Sequence, residues 1–525
     1  MTLAATPART RAPRLDGVAV AACLATLICA APAIAVIALA LTSDGGAAFG
    51  GALIREGAIG TFGLVLAGGT GAVIFGAATA WLVTLCRFPG RGLFEWLLVV
   101  PLAAPSYILA YAYASMTWAG GAPVPVEGFW GAAFIYAVGL YPYVYLAARA
   151  AFASQSACSL EAARMLGASP LRVFWRVALP LARPGIAAGG ALACMEIAAD
   201  YGAAQHFGLS TLSTAVFRAW YAHGAPALAL QISAVLLVAA MVFLFVERSA
   251  RGRAAYAGGS ARWRPLPRYQ LNAFSGALAA IFCTALIVFG ALLPLMWLAR
   301  LAFLHADVQD IIQPFANSIT LSAVGAFITL ALAAAIAAAA RRATTAWGKS
   351  PLFAAGMGYA APGAVIALGA LSLFGLAREA GLVGGLGAAL SLAALFWTYA
   401  ARFASAGVGP IDAGLARLSK GLDASARTLG AGPWRRFAEI DLPIAAPSLA
   451  AAALILFVEI LKELPATLIL RPFNFDTLAV KAYSYASDER LLEAAAPSLL
   501  IFLAGLAPII ILARSIERGR AGVTS

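Results

Sequence analysis

Five ionisable residues sit where the chain is otherwise apolar. Glu196 and Asp200 lie four apart in one stretch, and Glu459 and Glu463 lie four apart in another that also holds Lys462. A spacing of four puts both members of a pair on one helix face. An ionisable group inside a membrane costs about 2.5–3.5 kcal/mol on insertion scales, so it normally faces a bundle interior, a partner or an aqueous path. Two roles fit. The four carboxylates, with Tyr201 beside Asp200, could line a negative passage suited to a hard cation, which prefers carboxylate and other oxygen ligands. Alternatively they pair with Lys462 or with backbone groups and hold helices together. His206, His223 and His305 are too scattered for a metal site and read as polar loop residues, so no metal ligand is assigned. No H-E-x-x-H, G-x-S-x-G or paired-histidine pattern occurs in any apolar run, so no catalytic residue is assigned and the chain reads as a non-enzyme.

These residues need a membrane to position them. Of 525 residues, 62% are hydrophobic and 11% charged, against roughly 25% charged in a soluble domain. Ten charge-free runs reach the length of about 20 residues that a spanning helix needs. They cover 17–43, 57–86, 96–126, 128–148, 219–246, 269–299, 311–340, 350–377, 380–401 and 494–513. Two more spans start at Pro184 and Pro447 if they include Glu196 and Glu459, which makes twelve. The first run is too long for a signal-peptide core and reads as a retained helix. With the amino terminus cytoplasmic, 28 Lys and Arg fall on the cytoplasmic side and eight elsewhere. That bias puts both termini inside and explains the net charge of +13 without nucleic acid. The six cysteines form no C-x-x-C pair, and Cys23, Cys29, Cys194 and Cys283 read as buried thiols.

The chain repeats itself. From Glu161, EAARMLGASPLRVFWRVALPLARPG aligns without gaps on ASARTLGAGPWRRFAEIDLPIAAPS from Ala424, 263 residues later, and the same offset carries Glu196 onto Glu459. Six spans per copy make the halves parallel repeats about an axis along the membrane normal. The first half is 1–246, the second 269–525, and the basic stretch 247–268 links them. Within each copy Gly167 or Gly430 ends a first helix, Ser169-Pro170 or Gly432-Pro433 starts a second, and Pro180 or Pro443 closes it. This predicts short cytoplasmic hairpins at 161–180 and 424–443, with small residues at Ala162, Ala163 and Ala426 and basic ones at Arg172 and Arg435.

Glu161, Ala162, Ala163 and Gly167, with Leu-Pro twelve residues beyond that glycine, resemble the EAA motif of permeases in binding-protein-dependent ABC importers. The second copy has Ala424 and Ser425 where the pattern has Glu and Ala. The runs Lys462 to Ala495 and Asp200 to Tyr221 resemble the corresponding segments of ferric-iron permeases, most specifically in Lys462-Glu463-Leu464-Pro465-Ala466-Thr467. The resemblance implies an all-α polytopic membrane protein, the type I ABC importer permease fold of about twelve helices in two parallel six-helix repeats. It implies coupling hairpins docked on two cytoplasmic ATPase subunits, and a periplasmic ferric-binding protein that delivers Fe3+ at a bacterial inner membrane. Permeases for thiamine, polyamines, sulfate or phosphonates share the architecture. An ion-coupled secondary transporter also has two six-helix halves, but it leaves the paired hairpins unexplained. Ala343 to Ser350, A-T-T-A-W-G-K-S, satisfies a permissive phosphate-loop pattern without the preceding strand that such a loop needs. The chain is therefore expected to bind no cofactor, with ATP and Mg on its partners.

Overall fold

The computed structural model describes residues 17–43, 47–119, 125–155, 165–166, 169–257, 268–342, 350–382, 384, 387–415, 428–430, 435, 439 and 442–521. Each predicted apolar segment is mainly helical over its described residues. The first half contains α1 (Gly17–Thr42), α2 (Ala47–Leu85), α3 (Arg91–Leu97), α4 (Ser106–Trp118), α5 (Gly128–Ala153), α6 (Leu179–Ala199), α7 (Gly202–His206), α8 (Leu212–Phe217) and α9 (Pro226–Ala257). The second contains α10 (Ala273–Ile287), α11 (Leu293–His305), α12 (Val308–Arg342), α13 (Ser350–Ala360), α14 (Gly363–Glu379), α15 (Ala388–Leu415), α16 (Leu442–Leu461), α17 (Pro465–Leu470), α18 (Leu478–Ser487) and α19 (Ala495–Ala521). Eight of these helical stretches are long and apolar enough to cross a membrane, or ten if two bent pairs each count as one span. The other two predicted segments are α15 and α19, the latter apolar over Ala495–Ile509. Among the described residues the strands are Cys86–Arg87 and Tyr269–Gln270, a two-residue parallel pair that ties the end of the linker to the foot of α2.

The repeat extends far beyond the hairpins. The bent pairs are the third span of each half, broken by 88° before α4 and by 112° before α14. Both breaks read Ala-Ala-Pro, at Ala103-Ala104-Pro105 and Ala360-Ala361-Pro362. Pro105 (φ −56°, ψ 146°) and Pro362 (φ −57°, ψ 145°) share one extended backbone conformation, as proline's fixed φ and the restriction on the residue before it require. Thr61 Oγ1 accepts from Leu212 N at 2.9 Å, and the equivalent Ser318 Oγ accepts from Leu478 N at 2.7 Å.

The first span of each half packs on the other half. Ala25, Cys29 and Ala30 of α1 share a core with Ile336, Ala354 and Ala404, and Trp397 Nε1 donates to the Ile28 carbonyl at 2.9 Å. On the opposite side Cys283 and Leu286 of α10 join the core of the first half, where Tyr113 Oη donates to the Phe289 carbonyl at 2.6 Å. Trp297 Nε1 completes the contact by donating to Ser115 Oγ at 3.0 Å.

Several expectations change. Pro180 and Pro443 open the long helices α6 and α16 rather than closing a hairpin helix. Pro170–Val173, a π turn over Phe174–Ala178 and α6 form one continuous rod, with Pro170 in its first turn, where a missing N–H leaves no helical bond unmade. The spans expected from Pro184 and Pro447 accordingly start earlier, with both prolines inside the helices. The basic stretch 247–268 begins as a continuation of α9, and Arg248 donates to the Leu352 carbonyl at 2.9 Å. Cys29 and Cys283 are buried and Cys194 is half-buried, but Cys23 is exposed on the outer face of α1. His206 is no loop residue: its ring stands edge-on to Tyr111 at 5.2 Å, and burial holds the imidazole below its ordinary pKa.

Candidate functional site

Glu196, Asp200, Tyr201, Glu459, Lys462 and Glu463 all line one chamber between the halves. Its water-accessible volume of about 100 Å³ has room for several waters, each of which needs about 10–15 Å³ on that measure. Its walls come from the breaks. The bent third spans contribute Pro105, Ser106, Tyr107 and Tyr359, the helix ends at 200–202 and 462–465 contribute Asp200, Lys462 and Glu463, and the helices α6, α15 and α16 contribute Glu196, Arg402 and Glu459.

Those helix ends are built alike. Asp200 and Glu463 are equivalent at the 263-residue offset, and each follows a long helix and precedes a short one. Asp200 Oδ1 accepts from Ala203 N at 2.8 Å and Ala204 N at 3.3 Å, while Glu463 Oε1 accepts from Ala466 N at 3.0 Å. The residues between carboxylate and helix, Tyr201 (φ −106°, ψ −47°) and Leu464 (φ −106°, ψ −56°), match in backbone. Each carboxylate thus satisfies orphan N–H groups at the start of a short helix and sits where the helix dipole favours negative charge.

Charge compensation separates the two sides. Glu463 forms an ion pair with Arg402 Nη1 at 2.9 Å, and Glu459 forms one with Lys462 Nζ at 2.8 Å. At the same offset Arg402 corresponds to Gly139 and Lys462 to Ala199, so the first half has no basic group at either place. Glu196 forms no hydrogen bond or ion pair among the described residues. Glu459 and Glu463 thus pair and Asp200 caps, as the helix-holding reading expects, and all four acids line the cavity.

Arg402 is the residue that charge-free runs misplace. The run 380–401 stops at it, which puts it among the 28 basic residues expected on the cytoplasmic side; it lies inside α15 with its side chain 13% exposed. An arginine whose charge is met by a buried carboxylate does not have to mark a span end. Gly363 makes room for the pair, since a Cβ there would collide with both the Arg402 guanidinium and the Glu463 carboxylate. Tyr107, Tyr143 and Tyr359 also line the chamber and carried no sequence signal beyond lying in apolar runs. Tyr143 in addition borders a second, apolar cavity on the hairpin side, lined by Ala147, Ala150, Gly185 and Ala188.

Toward the other side the chamber is roofed by tyrosines that join the halves. Tyr107 Oη donates to the Lys462 carbonyl at 3.2 Å, the Tyr201 and Tyr483 hydroxyls bond at 2.7 Å, and Tyr221 Oη donates to the Leu468 carbonyl at 3.0 Å. Among the described residues no three His, Cys, Asp or Glu side chains converge as a metal-holding group.

Of the hairpin residues, Arg172 and Arg435 are exposed, and Arg172 N donates to Ser169 Oγ at 3.4 Å, the helix start expected there. Gly430 has φ 78°, the left-handed conformation expected just past a helix end. Glu161, Ala162, Ala163, Gly167 and Ala426 lie outside the described residues, as does most of the phosphate-loop-like run. The element before that run is α12, a helix and not the strand a phosphate loop needs.

A helical membrane protein with a polar chamber between two repeated halves is the architecture of a permease, and residues 72–253 match the family of the binding-protein-dependent transport system inner membrane component. That match spans about a third of the chain, within its first half. Over 453 residues it is 26% identical to the Fe(3+)-transport system permease protein FbpB 2 of Haemophilus influenzae, covering 84% of this chain and 86% of that one. The molybdenum transport system permease protein ModB of Escherichia coli is 33% identical over 143 residues, 25% of this chain and 62% of the relative. The sulfate transport system permease protein CysT of Synechococcus elongatus is 36% identical over 129 residues, 23% of this chain and 46% of the relative.

Proposed function

We propose that this chain is the permease subunit of an ATP-driven ABC importer that passes ferric iron, delivered by a periplasmic binding protein, across the bacterial inner membrane. The observation that carries the substrate is the extent of the ferric-iron alignment, which reaches over 84% of the chain, whereas the molybdenum and sulfate alignments each reach about a quarter of it. The chamber supports a cation: four carboxylates outnumber Arg402 and Lys462, and such a wall repels a sulfate-like anion.

In this reading the cargo passes from the tyrosine roof through the chamber to the apolar cavity on the hairpin side, as the halves rock about their common axis. Arg172, Pro180, Gly430, Arg435 and Pro443, with Glu161, Ala162, Ala163, Gly167 and Ala426, form the surfaces that dock on two ATPase subunits. ATP and Mg are held there and not by this chain. Both termini lie in the cytoplasm, a bias that survives the relocation of Arg402, which leaves 27 basic residues against eight.

The test is uptake of labelled ferric iron, thiamine and sulfate by starved cells with and without the gene, with one arm depleted of ATP while the proton gradient is kept. Loss of ATP-dependent iron uptake alone is expected. Loss of thiamine or sulfate uptake in its place would discard iron and keep the importer, and uptake that survives ATP depletion would point to a secondary transporter.

A further inference from the structure

Lys462 has an odd position for a structural lysine. Its Nζ lies 2.8 Å from Glu459 Oε1, and the two side chains are 23% and 21% exposed, so the pair faces the chamber instead of being sealed in packing. Glu196, the repeat equivalent of Glu459, lines the same chamber. The ammonium therefore projects into the chamber that both of these repeat-equivalent carboxylates line, paired with one of them. The first half, with Ala199 at the matching place, offers no second ammonium.

We propose that Lys462 is a tethered counter-cation that occupies the cargo position of the empty chamber and sets the charge a cargo must carry to displace it. A tethered group competes at an effective concentration in the millimolar range or above, which a free monovalent or divalent ion has to overcome with its own attraction to Glu196 and Glu459. The attraction scales with the ion's charge, so a trivalent ion gains most from the exchange. Once displaced, the ammonium can swing on its four-carbon stem without leaving the chamber. This inference rests on the reading of the chamber as a cation path, and it makes Lys462 a selectivity residue and not a ligand.

The purified full-length chain in detergent tests it with Tb3+ as a trivalent probe, read by luminescence sensitised through the chamber tyrosines, and Mn2+ as a divalent competitor. Wild type should bind Tb3+ with little competition from Mn2+. Lys462→Met should bind Tb3+ about tenfold more tightly or better, because the internal competitor is gone, and should now be competed by Mn2+. Lys462→Arg should behave as wild type, and Glu196→Gln combined with Lys462→Met should lose the gain. A lysine that only holds helices together predicts the opposite sign, with Tb3+ affinity unchanged or weakened in Lys462→Met, and that result overturns the proposal. So does a gain that persists in the Glu196→Gln combination. Should Lys462→Met fold poorly, Lys462→Gln is read in the same way, and the absence of any gain in a monodisperse Lys462→Gln sample overturns the proposal equally. Iron uptake in cells that is intact while Lys462→Met gains no affinity rejects this role alone. A gain in affinity with no iron uptake rejects the cargo and keeps the counter-cation.

Discussion

The two halves keep the same scaffold and differ in how they neutralise it. Asp200 and Glu463 cap short helices with matched backbone geometry, Pro105 and Pro362 break the third spans alike, and Thr61 and Ser318 hold the starts of α8 and α18 by the same bond. Only the second half adds Arg402 and Lys462, and only there does the position equivalent to Ser106 become Gly363, which clears space for the arginine. Backbone features that satisfy N–H groups were thus retained in both copies, while the charges facing the chamber diverged. Capping is a demand of the fold in each half, whereas countercharge is needed once per chamber.

The sharpest way to break this comparison is to remove Arg402. Arg402→Met strands Glu463 beside a low-dielectric wall and should cost about 3–5 kcal/mol, seen as a collapse of monodisperse protein in detergent. Combining it with Glu463→Gln should recover most of that yield, since the amide oxygen can still accept from Ala466 N. No such rescue by a second substitution is available to the first half. Asp200→Ala removes only a cap and should cost about 1 kcal/mol, a fall of a few degrees in Tm. Glu463→Ala should cost clearly more than Asp200→Ala, because it also orphans Arg402; equal losses would mean that the ion pair contributes nothing.

Smaller effects probe the roof and the hairpins. Tyr483→Phe deletes one bond to Tyr201 and should lower thermal stability by about 0.5–1.5 kcal/mol. Arg435→Ala removes an exposed pair with Glu439, 3.0 Å apart, and should change stability by no more than about 0.3–0.5 kcal/mol. Charge reversal at Arg172 or Arg435 should nonetheless impair ATP-dependent uptake, the outcome that separates a docking surface from a solvated turn.

Much of this architecture was legible because it is written in apolar run length, proline and glycine. The twelve segments follow from hydropathy, and Gly430 adopts the left-handed backbone its place after a helix demands. What escaped reading depends on contacts between distant residues. Arg402 looks like a span end until Glu463, sixty-one positions later, is placed against it. His206 looks like a loop residue until Tyr111 covers it. Pro180 looks like a helix stop because a proline ends one helix and begins another with the same letter, and only the π turn before it decides which. Of the chamber tyrosines, Tyr107 and Tyr359 flank the two Ala-Ala-Pro breaks, a signal legible in the sequence, whereas Tyr143, inside α5, carries none.

The exchange of first spans between the halves bears on how the chain is made. Thr26 meets Ser350, 324 residues downstream, so at about 5–20 residues per second α1 must wait on the order of tens of seconds after its own synthesis for its docking surface to emerge. It can afford to wait. The face it will bury, Ala25, Cys29, Ala30, Ala33 and Val36, is as apolar as the Leu24, Leu27 and Ile34 that it shows to the outside. Lipid therefore serves as a placeholder until α13 and α14 arrive, and no charged group on that face presses the nascent helix into a wrong partnership. A charge or amide introduced on that face would be felt first as a defect of biogenesis, before it could be felt as a defect of transport.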